Sequence, residues 1–312
     1  MPGRTEPRFL AILGPTASGK SDLAMRVARH WGADILSVDS VQVYQEMDIG
    51  TAKPSASEQA EVRHHMIDVV PPEVDYSVAD FQREGRRAMN EVLDDRVPLV
   101  VAGGSGLYFR ALVDPLDFPP VDPEIRAQVG SLGGAQAVCE LLLADPGAAD
   151  HVDLLNPRRV GRALEIYRIG AGTPSERALR PAAERVRNYE PAIPFVALGV
   201  DPGSLIESRI RHRIDLMIEA GILDEVAGLA DRLGRNAALA VGYRQLLPVV
   251  NGTADLSQAK AATVRATLAL AKRQRTYFGR DPRIRWLAWD EDPDVRWRAA
   301  YDAIEETKLW SS

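Results

Sequence analysis

The feature that most constrains the fold of this chain is the run GPTASGKS at residues 14–21. It matches the phosphate-loop pattern G-x-x-x-x-G-K-[ST], which needs a buried strand before it and a helix after it. The apolar run 9–13 predicts the strand, and residues 22–29 predict the helix. Loop amides and the helix N-terminus then concentrate positive charge at one point, Lys20 adds a full charge, and Ser21 offers a hydroxyl to Mg²⁺. The sequence therefore predicts a site for a phosphorylated ligand.

Alternating strand and helix patterns extend this unit into an α/β fold. Further strands are predicted at 34–38, 98–102 and 194–200, and helices at 20–31 and about 77–95. The alternation is typical of parallel strands joined by crossover helices. We therefore predict a core with the parallel sheet of the P-loop NTPases.

The stretch 115–190 contains no convincing strand pattern, and we interpret it as a mostly helical insertion domain. A proline-rich linker at 114–123 precedes its helices. The flanking parts, residues 1–114 and 191–312, are predicted to form one catalytic α/β core with C-terminal helices.

One predicted helix of the insertion carries a cluster of arginines. Asn156 is its expected N-cap, and the residues from Val160 to Tyr167 contain one apolar stripe. Arg158, Arg159 and Arg162 lie off that stripe, near the helix start. Cations there oppose the helix dipole, so helix stability does not explain them.

Two later helices are predicted at 204–220 and 257–279. In the first of them, Arg209 and Arg213 are four residues apart and therefore share a face. This spacing makes both side chains available to one neighbouring surface.

The chain has a negative net charge, but some of its segments are locally basic. The net charge of −6 disfavours a polyanionic partner on average, yet residues 156–190 hold 8 basic and 4 acidic side chains, and residues 260–285 hold 8 basic and 1 acidic. A polyanion responds to the local surface within a Debye length of ~8 Å. Both segments are candidates for contact with nucleic acid, although a solvated helix face gives the same pattern.

Composition excludes several classes of function. No run approaches the ~18 apolar residues of a membrane span, and residues 1–8 lack the apolar core of a secretion signal. Cys139 is the only cysteine, which excludes an internal disulfide, and we expect it to be buried. The five histidines are not spaced as a zinc site. We therefore expect a cytoplasmic protein without a membrane partner.

Two further features follow strands of the predicted sheet. Asp39 comes directly after the strand 34–38, and a glycine-rich turn that includes Ser105 comes after the strand 98–102. Ligands of open α/β sheets bind at the carboxyl ends of the strands, so both features are expected to face the phosphate loop. Asp39 can hold Mg²⁺ through water, accept a proton from a nucleophile, or act only as a structural cap.

Taken together, these segments resemble the bacterial type of the tRNA dimethylallyltransferase family, also called tRNA isopentenyltransferase. The matching stretches are GPTASGKS at 14–21, SVDSVQVYQEMDIGTAKP at 37–54, HHMID at 64–68, YSVADFQ at 76–82, VAGGSGLYFRAL at 101–112, NPRRVGRALEIY at 156–167, VGYRQL at 241–246 and AKRQRTYFGRDPRIRWL at 271–287. The DIGTAKP stretch and the arginine helix, in series with the loop, are specific to the family. The chain departs from it at Ser105, where members usually have threonine, and at residues 237–240.

The resemblance implies transfer of the dimethylallyl group of dimethylallyl diphosphate to N6 of the adenosine 3′-adjacent to a tRNA anticodon, with release of diphosphate. It implies that Asp39 is the general base, that Ser105 contacts the leaving diphosphate and that Lys20 holds it. The residues implied to bind the diphosphate are Gly14, Pro15, Thr16, Ala17, Ser18, Gly19, Lys20, Ser21 and Arg209. The residues implied to bind tRNA are Asp39, Ser40, Val41, Gln42, Ser105, Arg158, Arg159, Val160, Gly161 and Arg162.

The resemblance also implies a cofactor and partners. Mg²⁺ would be held by Ser21, and the insertion 115–190 would bind the anticodon stem-loop of tRNA. Dimethylallyl diphosphate would be the second substrate, and we expect the protein to act as a monomer.

Three other functions stay open from the residues. A small-molecule or nucleoside kinase explains the loop and Asp39 but leaves the basic insertion unexplained. A prenyltransferase that acts on a free adenine nucleotide uses the same donor but does not need the insertion. An RNA-binding module gated by a nucleotide needs no carboxylate at the sheet edge, where Asp39 is predicted.

Overall fold

The computed structural model describes residues 8–310, so residues 1–7 of the segment searched for a secretion signal lie outside the described part. The chain divides into two compact units. The larger contains the described residues up to Val113 and from Ile193 onward, and the smaller is Asp114–Ala192. The sequence analysis placed the insertion at 115–190.

The larger unit is built on a parallel sheet, which confirms the predicted α/β fold of the P-loop NTPase type. The strands in the described range are β1 (Leu10–Leu13), β2 (Asp34–Ser37), β3 (His64–His65), β4 (Leu99–Gly103), β5 (Val196–Gly199) and β6 (Ile284–Trp286). Their order in the sheet is β3-β2-β4-β1-β5-β6, and every pair is parallel. In register, Leu10 lies opposite Val100 on one side and Val196 on the other.

The helices follow the predicted crossovers. In chain order they are α1 (Lys20–Trp31), α2 (Ala56–Glu61), α3 (Val78–Asp94), α4 (Gly106–Val113), α5 (Pro123–Gly130), α6 (Gly134–Ala144), α7 (Pro157–Arg168), α8 (Pro174–Ala178), α9 (Pro181–Arg187), α10 (Ile206–Glu219), α11 (Ile222–Leu229), α12 (Tyr243–Val250), α13 (Leu256–Phe278) and α14 (Pro293–Glu305). Helices α5 to α9 belong to the smaller unit.

The central strand β1 is buried on both faces, as parallel strands are when helices cover both sides of the sheet. Phe9, Ala11 and Leu13 pack into one apolar layer, whereas Leu10 and Ile12 pack into the other. The uninterrupted apolar run is therefore what fixes this strand at the centre, with its carboxyl end leading into the phosphate loop.

The smaller unit contains the helix that carries the arginine cluster. Asn156 caps α7 by accepting hydrogen bonds from the backbone amides of Arg158 and Arg159 at 3.2 and 3.3 Å. Two side-chain predictions for this unit are wrong. Tyr167 is 42% exposed although it was assigned to the apolar stripe, and Cys139 is exposed on α6. Helical periodicity gives a face, but it does not say how far the neighbouring helices extend over that face.

Two short edge strands were not predicted. β3 and β6 contain two and three residues, and β3 consists only of His64 and His65. The His65 ring contacts the carboxylate of Asp34 in the neighbouring β2, at 2.8 Å from Nε2 to Oδ2. Such strands form by pairing with an existing sheet edge, so a period-2 apolar pattern is not needed to specify them.

Candidate active site

A cavity of about 930 Å³ lies at the carboxyl ends of β1, β2 and β4. Its lining comes from the phosphate loop, the turn 39–42, the stretch 48–56, and facing residues of α10 and α13. All of these segments belong to the larger unit. The phosphate loop and Asp39 therefore converge on one cavity, as the sequence predicted.

The phosphate loop wraps the N-terminus of α1 with its backbone in unusual conformations. Gly19 has φ +87° and Ala17 has φ +60°, both in the left-handed region. Gly14 is buried beneath the loop, where an added Cβ would lie 2.2 Å from the carbonyl oxygen of Val200. Within the described range, Ser18 Oγ is the one buried side-chain oxygen or nitrogen that has no hydrogen-bond partner. A loop of this shape directs its backbone amides at an anion.

Lys20 is the charged group of the loop. Its Nζ donates a hydrogen bond to the carbonyl oxygen of the buried Pro15 at 3.1 Å. Burial and the neighbouring Arg213 lower the pKa of Lys20 to about 8, against the opposing effect of Asp39. Ser21 lies beside it in the cavity lining, and its hydroxyl has no partner within residues 8–310.

Two arginines of α10 contact the loop from the other side. Arg209 Nε donates to the carbonyl oxygen of Ala17 at 2.7 Å, so this side chain lies against the phosphate loop. Arg213 Nη1 donates to Thr16 Oγ1 at 3.2 Å. The sequence analysis gave Arg213 no role, although its four-residue spacing from Arg209 was the signal for one.

Gln274 of α13 is a further contact that sequence reasoning missed. Its Oε1 accepts a hydrogen bond from the backbone amide of Thr16 at 2.8 Å. It lies within the family-like stretch 271–287, which was the available signal.

Asp39 lies at the end of β2 with one carboxylate oxygen engaged. Oδ1 accepts hydrogen bonds from the backbone amides of Val41 at 2.9 Å and Gln42 at 3.4 Å. Among residues 8–310, no donor contacts Oδ2. Asp39, Val41 and Gln42 line the cavity, so the carboxylate has one oxygen held by the turn and one available to a ligand.

Ser105 lies next to this turn rather than in the cavity wall. Its Oγ accepts a hydrogen bond from the backbone amide of Ser40 at 3.1 Å and donates to Ser40 Oγ at 3.3 Å. In the described structure, the residues that line the cavity do not include Ser105 or Ser40. Ser105 therefore contacts the turn that carries Asp39, and its implied contact with the leaving diphosphate stays a prediction.

The DIGTAKP stretch is held in place by Glu225 of α11. The Glu225 carboxylate accepts hydrogen bonds from three successive backbone amides, those of Asp48, Ile49 and Gly50, at 2.9, 2.7 and 3.0 Å. The hydroxyl of Tyr243 donates to the same carboxylate at 2.5 Å. Gly50 packs directly on that tyrosine, since an added Cβ would lie 2.5 Å from the ring. Tyr243 of the VGYRQL stretch (241–246) therefore helps to hold the DIGTAKP stretch in place, a role that the sequence alone did not show.

Part of the cavity wall is apolar. Its wall includes Ile214, Met217 and Ile218 of α10, Leu246 of α12 and Leu270 of α13. The cavity therefore joins a cationic, amide-lined end to an apolar wall, which suits a ligand with a charged head and a hydrocarbon tail.

The predicted tRNA contacts of α7 belong to the smaller unit and differ among themselves. Arg158 and Arg159 are exposed. Arg162 is instead tied to its own unit, with Nη2 donating to the carbonyl oxygen of Pro119 at 2.6 Å and Nη1 to Glu165 at 2.9 Å. Of these three arginines, Arg158 and Arg159 are the ones exposed to a polyanion, and Arg159 also lies 3.9 Å from the carboxylate of Asp153.

Two neighbouring positions of that helix need a correction. The side chain of Val160 is 1% exposed and packs in the core of the smaller unit with Leu164, so it is not available to tRNA. Gly161 faces α5, where an added Cβ would lie 3.7 Å from Val129. Both lie on the face of α7 that packs inside the smaller unit, whereas Arg158 and Arg159 are exposed to solvent.

In residues 8–310, no helix is long and apolar enough to cross a membrane. No group of three or more histidine, cysteine, aspartate or glutamate side chains there is arranged to hold a metal ion.

Comparison with known proteins gives consistent matches. The family model described as IPP transferase matches residues 42–281. A tRNA dimethylallyltransferase of Bifidobacterium animalis subsp. lactis is 40% identical over 90% of this chain and 82% of its own length. The enzyme of the same name from Streptomyces coelicolor is 42% identical over 90% of each chain. The solved tRNA isopentenylpyrophosphate transferase of Bacillus halodurans superposes with a TM-score of 0.68 at 30% identity, covering 97% of this chain and 98% of that one.

Proposed function

This chain belongs to the IPP transferase family of tRNA dimethylallyltransferases, and on that basis we propose that it prenylates tRNA. The donor is dimethylallyl diphosphate, and the acceptor is N6 of the adenosine 3′-adjacent to the anticodon. The observation that carries the proposal is a single cavity that holds the phosphate loop, Arg209 and the available oxygen of Asp39 beside an apolar wall.

The donor fits the charged and the apolar parts of that cavity. Loop amides, Lys20 and Arg209 neutralise the diphosphate, while the apolar residues of α10 and α12 contact the dimethylallyl group. Both phosphates are needed for this fit, because one alone would leave part of the cationic surface unpaired.

The transfer exchanges one bond for another. The N6–carbon bond forms as the carbon–oxygen bond to diphosphate breaks, and the bonding electron pair leaves on the diphosphate oxygen. Fixed positive charge from Lys20, Arg209 and the loop amides stabilises that leaving charge. Asp39 Oδ2 accepts the proton that the amine loses. The adenine must leave its stack to reach the carboxylate, and anticodon loops already expose their bases.

Mg²⁺ fits this site as an ion shared with the substrate. It is usually bound by few protein oxygens together with substrate phosphates, so the described residues need no complete ligand set of their own. The unpaired hydroxyl of Ser21 lies at the start of α1, where it would hold the ion. Bound Mg²⁺ would add to the neutralisation of the diphosphate.

The test is prenyl transfer with purified protein, dimethylallyl diphosphate, tRNA and Mg²⁺, in the absence of nucleotides. Parallel reactions replace tRNA by AMP, or dimethylallyl diphosphate by ATP. We expect prenylated tRNA in the first reaction alone. Product that forms only when ATP is added and consumed would contradict the transferase proposal and favour a kinase.

We also propose that the protein acts in the cytoplasm as a monomer. One chain supplies the loop, the arginines of α10 and Asp39, so the proposed chemistry needs no second copy. Light scattering after size-exclusion chromatography, with and without tRNA, measures the oligomeric state directly.

Diphosphate affinity is expected to fall as the pH rises through about 8. Lys20 binds the diphosphate as an ammonium, and burial together with Arg213 lowers its pKa to about 8 in the free protein. Below this pH the group is charged, and above it the affinity should fall by up to about tenfold per pH unit. Titration calorimetry with pyrophosphate across this range measures the slope. In Lys20→Arg, whose guanidinium stays charged, the same loss with pH would mean that another group titrates.

The exposed arginines of α7 are expected to bind tRNA and to leave the donor unaffected. Arg158→Ala combined with Arg159→Ala should weaken tRNA binding and lower the slope of log affinity against log salt by about one to two, because fewer counterions are released. The matched control is Arg211→Ala, whose exposed side chain is paired with Glu207 on α10. An unchanged slope in the double variant would identify the cluster as a solvated face.

A further inference from the structure

Trp289, which follows β6, contacts the phosphate loop from outside the cavity. Its indole Nε1 donates a hydrogen bond to the carbonyl oxygen of Ser18 at 3.1 Å. Arg209 Nε holds the preceding carbonyl, that of Ala17, at 2.7 Å. The proposed chemistry gives Trp289 no role, so its contact with the loop needs a separate explanation.

The two carbonyl contacts determine where the loop amides point. In a planar trans peptide the N–H lies opposite the C=O, and the described chain contains no cis peptide bond. Holding the Ser18 carbonyl towards Trp289 therefore points the amide of Gly19 away from Trp289, and holding the Ala17 carbonyl towards Arg209 points the amide of Ser18 away from Arg209. Those amides belong to the anion-binding loop.

Arg296 of α14 fixes Trp289 in turn. Its guanidinium carbon lies 5.3 Å from the centroid of the indole, and the guanidinium of Arg209 lies at the same distance from that ring. Arg296 is 6% exposed, and its Nη1 donates to the carbonyl oxygens of Asp290 and Glu291 at 2.5 and 3.0 Å. The turn after Trp289 is therefore held by the same side chain that contacts its ring.

Both guanidiniums also converge on the end of α1. Arg296 Nη2 and Arg209 Nη2 lie 3.5 and 3.6 Å from the point at which a Cβ of Gly19 would be placed. Burial and the neighbouring Arg209 lower the pKa of Arg296, against the opposing effects of Asp22, Asp290 and Asp292. Arg296 is buried and Arg209 is half-buried, so an anion bound in the loop would offset the repulsion between the two cations.

We propose that Trp289 and Arg296 act as a pair of positioning residues for the diphosphate of the donor. The pair orients the loop amides through the Ser18 carbonyl, and it sets the plane of Arg209 by stacking. The inference rests on the proposed function, because it names the diphosphate as the anion that this arrangement serves.

The test uses the full chain and pyrophosphate with Mg²⁺, so that binding is measured without the transfer reaction. Trp289→Phe keeps an aromatic ring and removes the N–H, and it should weaken pyrophosphate binding about five- to tenfold. The Michaelis constant for dimethylallyl diphosphate should rise by a similar factor, while that for tRNA changes less than about twofold. Arg296→Gln should act in the same direction.

The matched control is Trp297→Phe, whose ring contacts His30, Trp31 and Tyr301 rather than the loop. Pyrophosphate should alter the tryptophan fluorescence of the wild type and of this control, and the change should be lost in Trp289→Phe. A lower melting temperature with unchanged pyrophosphate affinity in both Trp289→Phe and Arg296→Gln would overturn the proposal. Absence of prenyl transfer in the wild type would instead contradict the proposed function and leave the pyrophosphate comparison valid.

Discussion

Lys20→Ala is expected to lower the rate of prenyl transfer by about 10²- to 10³-fold at saturating donor. The ammonium lies between the loop carbonyl of Pro15 and the cavity, where it faces both the bound diphosphate and the charge that develops as diphosphate leaves. Removing it loses a charge-assisted contact worth about 1.5–3 kcal/mol in donor binding, in addition to the stabilisation of the leaving group. Single-turnover transfer to tRNA from labelled donor separates the two effects.

The control for this variant is Lys308→Ala, an exposed lysine that follows α14 and lies outside the basic segments 156–190 and 260–285. It should retain donor affinity and the single-turnover rate, and both variants should show the same melting temperature to within a few degrees. A Lys20→Ala protein that binds the donor weakly but transfers at the normal rate once saturated would restrict Lys20 to binding. In that case the leaving charge would be neutralised by Arg209, Arg213 and Mg²⁺ alone.

The parts of this site that could be predicted from the sequence are those specified locally. The phosphate loop is fixed by eight consecutive residues between an apolar strand and a helix, and Asp39 follows the next strand directly. In a parallel sheet, carboxyl ends of strands meet at one edge, so the convergence of loop and carboxylate needed no tertiary information. The structure places both in the lining of one cavity.

The contacts that sequence reasoning missed join parts of the chain that are far apart. Arg213, Gln274 and Trp289 reach the loop across separations of 197, 258 and 271 residues. Periodicity assigns a side chain to a helix face, but the partner of that face depends on how the helices pack. The four-residue spacing of Arg209 and Arg213 predicted a shared surface without identifying the loop as its neighbour.

The incorrect side-chain assignments have the same origin. Val160 was included with the arginines because it lies among them in sequence, yet the helical rotation of about 100° per residue places it on a different, buried face. Arg162 shares the charge of Arg158 and Arg159, but it is held by the linker carbonyl of Pro119. Within a single helix, charge alone did not separate a side chain that supports the unit from one that is available to a partner.

Asp39→Asn is expected to retain the fold and donor binding and to lose about 10²- to 10⁴-fold in prenyl transfer. Oδ1 accepts the amides of Val41 and Gln42, and an asparagine amide oxygen can keep both hydrogen bonds. The amide group that replaces Oδ2 cannot accept the proton of the adenine amine. The isosteric change therefore removes the base and preserves the turn, whereas Asp39→Ala removes both.

Three measurements decide whether Asp39 acts as that base: the melting temperature, the affinity for pyrophosphate and the single-turnover rate with tRNA. In Asp39→Asn we expect the first two to match the wild type and the third to fall. Asp34→Asn is the matched control, because it makes the same change at the start of β2, where the carboxylate contacts His65, and its rate should stay near that of the wild type. If Asp39→Asn transfers within about twofold of the wild type, the carboxylate serves only as the cap of its turn, and the proton of the amine passes to water or to the departing diphosphate.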